Sequence, residues 1–166
     1  YSQSLSASAF NLDELPVGNH EISVVVSDGC GNENTCIIPL VIANNVKKPT
    51  PYCLDGLAVE IMPSEGTIDL WAVDFDAGSF DNCSDTLIFS MIPEVDAENF
   101  SSDEVYQASF DLGLEQSDGN YGWRFDCSYI PDGETQELEV RIYVTDEHGN
   151  FDYCTASLRL DDNFDA

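Results

Sequence analysis

Apolar and polar residues alternate along several stretches of this chain. Leu138, Val140, Ile142 and Val144 alternate with Glu139, Arg141, Tyr143 and Thr145. A period of two puts one set of side chains on each face of an extended backbone, so this stretch predicts a strand with one buried face. Ile22, Val24 and Val26 do the same earlier in the chain. Both stretches run into Asp-x-x-Gly-Asn, at Asp28–Asn32 and at Asp146–Asn150. An Asp side chain there accepts backbone N–H groups, while Gly and Asn tolerate positive φ, so a tight turn is expected. Cys154, Ala156, Leu158 and Leu160 then alternate on the outgoing strand. Each stretch therefore predicts a hairpin.

The two hairpins are copies of one another. Asp28 maps to Asp146, Gly31 to Gly149, Asn32 to Asn150, Cys36 to Cys154 and Leu40 to Leu158, each pair 118 positions apart. Leu15-Pro16-Val17-Gly18 precedes the first copy and Ile130-Pro131-Asp132-Gly133 the second, at an offset of 115. A period of this length makes residues 1–46 the C-terminal part of one repeat and residues 47–166 a complete second one, a piece of a longer tandem array. The linker is expected over residues 44–51, where Pro49 and Pro51 restrict the backbone to extended forms.

The complete unit holds further strand-like runs at Leu57–Met62, Thr67–Val73, Thr86–Ile92, Val105–Leu112 and Tyr121–Cys127. Turn-rich segments separate them, and only Glu94–Glu104 has room for a helical turn. With the hairpin, this makes seven short strands in roughly 115 residues, which predicts an all-β, immunoglobulin-like antiparallel β-sandwich.

Charge changes the picture of partners. The chain has 166 residues, with 5 Lys and Arg against 32 Asp and Glu, a net charge of −27. Five cations cannot build a phosphate-binding patch, so nucleic acid is excluded as a partner and an anionic membrane surface is disfavoured. Disorder is not the reading either, because 43% of residues are apolar and 11% aromatic, enough for a core. The longest apolar run, Cys36–Ala43, is far too short to span a membrane. The six cysteines, Cys30, Cys36, Cys53, Cys83, Cys127 and Cys154, include no CxxC pair. A zinc site needs such closely spaced ligands, so disulfides in an oxidising compartment are the better reading.

The pattern Leu-Pro-Val-Gly, strand, Asp-Gly-Cys-Gly-Asn, Cys, strand resembles hyalin-repeat (HYR-like) immunoglobulin-fold modules. With Pro-Thr-Pro-Tyr-Cys, Asp-Asn-Cys-Ser and Asp-Tyr-Cys, the second unit is similar to the tandem modules of very large secreted surface proteins of Bacteroidota. The resemblance covers essentially the whole chain and implies an extracellular, cell-surface, non-catalytic role in adhesion or structure, with neighbouring repeats as partners. His148 stands where the first copy has Cys30, so no disulfide can leave that turn in the second unit. Its four cysteines allow three pairings. Cys53 opens the first strand and Cys154 lies in the last, and terminal strands of a sandwich can lie close. Cys53–Cys154 and Cys83–Cys127 are therefore the expected pairs. For Cys30 and Cys36 two readings stay open, a bond across the Gly31-Asn32 turn or free thiols.

Candidate chemistry is sparse. Asp74, Asp76 and Asp81 crowd one loop, and alternating carboxylates with a glycine can wrap Ca²⁺, which takes six to eight oxygens. The alternative is a solvated loop with turn-capping aspartates. Asp161, Asp162 and Asp165 offer a second, junctional cation site, although the matching Ala43, Asn44 and Lys47 carry no carboxylate. No cofactor motif is present. Trp71 and Trp123, with Tyr121, Phe125, Tyr129 and Tyr143, form either a sugar-stacking platform or part of the core. Asp85-Thr86-Leu87 resembles an O-glycosylation motif of Bacteroidota, which would place a glycan on Thr86. No nucleophile elbow, zincin motif, P-loop or GxGxxG occurs, so an enzyme is not expected. The expected function is a structural repeat of an extracellular stalk, filament or adhesin. The alternative is a module that binds surface glycans or proteins.

Overall fold

The computed structural model describes residues 15–61, 66–131 and 135–162. The chain divides into two compact units, Tyr1–Asn45 and Val46–Ala166.

In the first unit, strand β1 (Gly18–Ser27) pairs antiparallel with β2 (Glu33–Ile42), forming a two-stranded sheet. In the second, β3 (Leu57–Ile61), β5 (Leu87–Pro93), β8 (Gln136–Asp146) and β9 (Phe151–Asp162) form a four-stranded sheet in the order β3-β9-β8-β5. Strands β4 (Thr67–Trp71), β6 (Leu114–Glu115) and β7 (Tyr121–Asp126) form a three-stranded sheet in the order β4-β7-β6. Short helices α1 (Glu94–Ala97) and α2 (Val105–Asp111) lie between β5 and β6.

Alternation decides which side chains go inside. Val140, Ile142 and Val144 of β8 and Ala156, Leu158 and Leu160 of β9 are at most 1% exposed. They share one core with Phe89 and Met91 of β5, and with Leu70, Trp123 and Phe125 from the other sheet. Two sheets with their apolar faces on a common core make an all-β sandwich.

Among the described residues all strand pairings are antiparallel except one. Strand β3 runs parallel to β9, with Leu57 opposite Leu158 and Ile61 opposite Asp162. Antiparallel pairing throughout was expected from the sequence. The first strand reaches the far edge of β9 by a long connection, and that path leaves it running parallel. A disulfide anchors it, with the Cys53 and Cys154 Cα atoms 6.0 Å apart and 101 positions separated in sequence.

Val105–Leu112 corrects a second expectation, because it is the helix α2 and not a strand. Val105, Ala108 and Ser109 are buried while Leu112 is exposed, which is helical spacing. A turn leads into it: the Glu104 carboxylate accepts the Ser101 backbone N–H at 3.2 Å and the Ser101 hydroxyl at 2.7 Å. The Ser109 hydroxyl donates to the Tyr106 carbonyl at 2.7 Å and meets the Ser90 hydroxyl at 2.7 Å. The Tyr106 hydroxyl meets Thr145 Oγ1 at 3.1 Å. These bonds tie the helix to β5 and β8. The short β6 takes its place in the strand count.

Reduction of the disulfide tests the anchoring of β3. The Cys53→Ser/Cys154→Ser variant should lose about 4–5 kcal/mol in the chain-entropy account of a loop this long. A urea unfolding midpoint unmoved by the double change would show that β3 is held by pairing alone.

Candidate functional site

The loop expected to bind Ca²⁺ has another use. Asp74 sits exposed in a 3-10 turn, Ala72–Phe75, and Asp76 Oδ1 accepts the Ser79 N–H at 2.7 Å. Asp81 Oδ2 accepts the Cys83 N–H at 3.1 Å, while its Oδ1 is buried without a partner. Among the described residues no three His, Cys, Asp or Glu side chains converge as a metal site would require. Asp76 and Asp81 thus cap turns within the loop, while Asp74 stays exposed to solvent. Of the junctional acids, Asp161 Oδ1 accepts from Thr135 Oγ1 at 2.5 Å and from Arg159 Nε at 3.0 Å. The Asp162 side chain and Asp165 lie outside the described residues.

The loop's backbone instead receives the segment that enters the second unit. The Thr50 N–H donates to the Phe80 carbonyl at 2.8 Å, and the Phe80 N–H returns to Thr50 at 3.1 Å. The Ala77 N–H donates to the Tyr52 carbonyl at 2.8 Å, and the Tyr52 N–H to Ser79 Oγ at 2.9 Å. The Tyr52 and Phe80 rings stack with centroids 6.2 Å apart, and Pro49 is buried. Farther along, the Leu54 N–H reaches the Phe75 carbonyl at 2.7 Å. Asp55 Oδ1 accepts both the backbone N–H (2.8 Å) and the hydroxyl (2.5 Å) of Ser157. Pro49–Asp55 is thus a strap, hydrogen-bonded to the loop at one end and to β9 at the other. Its part in the proline-containing linker belongs to the sandwich.

The turns of the two hairpins coincide atom for atom. Asp28 Oδ1 accepts the Cys30 and Asn32 N–H groups, both at 2.9 Å, and Oδ2 accepts Asn32 Nδ2 at 2.7 Å. Asp146 Oδ1 accepts the His148 N–H at 2.9 Å and the Asn150 N–H at 2.8 Å, and Oδ2 accepts Asn150 Nδ2 at 2.8 Å. Gly31 and Gly149 hold φ of 88° and 82°, where a side chain would be strained. Burial pushes the Asp146 carboxyl up, but the bonds from Asn150 and His148 outweigh it and hold the group below the ordinary range. The side-chain bond from Asn32 leads the same lowering at Asp28. These aspartates cap turns.

Part of the aromatic set lies in the core. Trp123 is 7% exposed, and its Nε1 donates to the Tyr129 hydroxyl at 2.8 Å, which donates to Asp96 Oδ2 at 2.6 Å. Burial, followed by the bond to Asp96, raises the Tyr129 phenol above its ordinary value. Phe125 and Tyr143 are buried as well. Trp71 is half-buried and pairs with Gly122, where a Cβ would fall 2.6 Å from the Trp71 ring. Trp123 and Phe125 share the inward parity of β7, which removes them from any surface. The aromatics left at the surface are ones the sequence did not single out together. Tyr106, Phe110 and Tyr121, with Gln107 and Asp111, line an open groove of about 390 Å³.

Cys83 and Cys127 are free and exposed, which corrects the expected second disulfide. The Asn120 side chain binds the Phe89 N–H at 2.9 Å, so β5 starts beside the start of β7. Cys83 precedes β5, whereas Cys127 follows the far end of β7. A strand of this length separates its ends by roughly 17–20 Å, far beyond disulfide reach. Cys30 and Cys36 are also free and exposed. Thr86 is exposed just ahead of β5. Among the described residues no helix is long and apolar enough to cross a membrane. No model of a known protein family matches the chain, and no curated protein does.

Asp146→Ala should destabilise the second unit by about 1–3 kcal/mol at neutral pH, the usual cost of orphaning buried donors. The folded carboxyl titrates below its unfolded value of 3.8, so its stabilisation is full above that pH and fades as the pH drops through the folded value. Chemical denaturation from pH 7 to pH 3 should show the gap between variant and parent narrowing with acid.

Proposed function

We propose that this chain is a non-catalytic structural repeat of an extracellular stalk, filament or adhesin, built from immunoglobulin-like sandwiches of the HYR-like type joined in tandem. One observation carries the reading: the two hairpins share their register as well as their sequence. Val24 faces Cys36 as Ile142 faces Cys154, and Gly18 faces Ile42 as Gln136 faces Leu160. All ten cross-strand pairs of the first hairpin recur in the second at the offset of 118. One backbone design used twice in a chain is the mark of a repeat array.

Three features suit such a unit to bearing extension. The incoming segment is strapped to the sandwich from Pro49 onward. The Cys53–Cys154 bond joins the first strand covalently to the last. The charge of −27 keeps neighbouring units apart and soluble. The disulfide agrees with an oxidising, extracellular setting.

Scattering from three concatenated copies of residues 46–166 tests the reading. The maximum dimension should rise by a constant increment per copy. A compact particle whose size does not grow along one axis overturns the stalk.

A second reading, glycan binding, draws on the groove at α2. Aromatic rings beside an amide and a carboxylate suit a neutral sugar. Tyr121→Ala should abolish any glycan-array signal. A signal lost only on Trp71→Ala would move the site elsewhere.

A further inference from the structure

We propose that the β1–β2 hairpin is a docking surface for one more strand of the β3 type, which adds parallel to the free edge of β2 and is locked by a disulfide to Cys36. The inference rests on the repeat reading above and names the partner that reading requires.

The second unit shows the same interface occupied. There β9 carries β8 on one edge and β3 on the other, and Cys53, four positions ahead of Leu57, is bonded to Cys154. The shared register transfers each element of that interface to the hairpin. Cys154 becomes Cys36, and Leu158, the partner of Leu57, becomes Leu40. Among the described residues of its unit β2 pairs with β1, and no described strand lies on its second edge. Cys36 is exposed and free where its counterpart is in a disulfide.

The apolar face repeats the message. Val24, Val26 and Ile38 are 41%, 53% and 47% exposed, whereas the matching Ile142, Val144 and Ala156 are at most 1% exposed. A contiguous apolar face left in water marks an interaction surface. An unpaired strand edge beside it supplies the backbone donors and acceptors for an added strand. The cysteine then selects the occupant. A segment with a thiol four residues before a short apolar strand satisfies edge, face and Cys36 together.

The probe is a synthetic peptide of residues 51–61 whose cysteine is held as a mixed disulfide with glutathione. The Cys36 thiolate attacks the peptide sulfur, a new S–S bond forms, and glutathione departs as its thiolate, so no further oxidant is needed. The full-length 166-residue chain is incubated with the peptide under native conditions and mapped by mass spectrometry. We expect at least a tenfold preference for Cys36 over the exposed Cys30, Cys83 and Cys127. A scrambled peptide keeping its cysteine should lose that preference. Equal labelling of the four thiols, equal capture of the scrambled peptide, or a Cys36-linked dimer formed without peptide would each overturn the proposal. The scattering experiment reads the repeat architecture without reference to Cys36, so failure of one is separable from failure of the other.

Discussion

An antiparallel hairpin with one apolar face cannot bury that face by itself. Two strands satisfy half of their backbone groups on each other and leave the rest, with one row of side chains, to find a second layer. The β8–β9 hairpin meets that demand completely. Strands β3 and β5 take its edges, and the β4-β7-β6 sheet covers its face. Most of the second unit consists of the elements needed to cover those two strands. The β1–β2 hairpin has the same register and the same turn, and Val24, Val26 and Ile38 on its matching face are exposed.

The covering layer needs ties that cross long sequence distances. Strand β3 has only five residues, and the Asp55–Ser157 bonds and the Cys53–Cys154 disulfide add to its pairing with β9. On the interior strand β8, Arg141 makes a bidentate pair with Glu94 at 3.0 and 2.8 Å and lies over the Tyr153 ring, fastening α1 to β8. That pair is partly buried and geometrically well matched, which gives it more weight than an exposed pair. Arg124 with Asp69 and Arg159 with Asp161 are more exposed and contribute less. With all three arginines engaged, the remaining carboxylates form a field of one sign. It acts on neighbours rather than on the fold.

Much of this was legible from local pattern. Alternation over Leu138–Val144 and the Asp-x-x-Gly-Asn turns described both hairpins, because strand period and turn chemistry are properties of neighbouring residues. The helix at Val105–Asp111 was legible too, and the missed signal was Ser101 with Glu104 three positions on. Its apolar residues fit a strand and a helix alike, and the Ser101–Glu104 turn ahead of them favours the helix. The role of the acidic loop was not legible in the same way. Asp74, Asp76 and Asp81 are close in sequence, and that spacing says nothing of the loop's backbone, which binds the strap at Thr50 and Tyr52.

What the amino-acid order determined by itself was the repeated element: strand, capped turn, strand, and the cysteine at a constant place in each copy. Short-range hydrogen bonds and steric preferences are enough for that. Only the tertiary structure decided that β3 runs parallel to β9, that Trp123 is core rather than platform, and that Cys83 and Cys127 lie at opposite ends of β7. Each depends on which distant segments share the limited space around one hydrophobic core, and packing settles that over the whole unit at once.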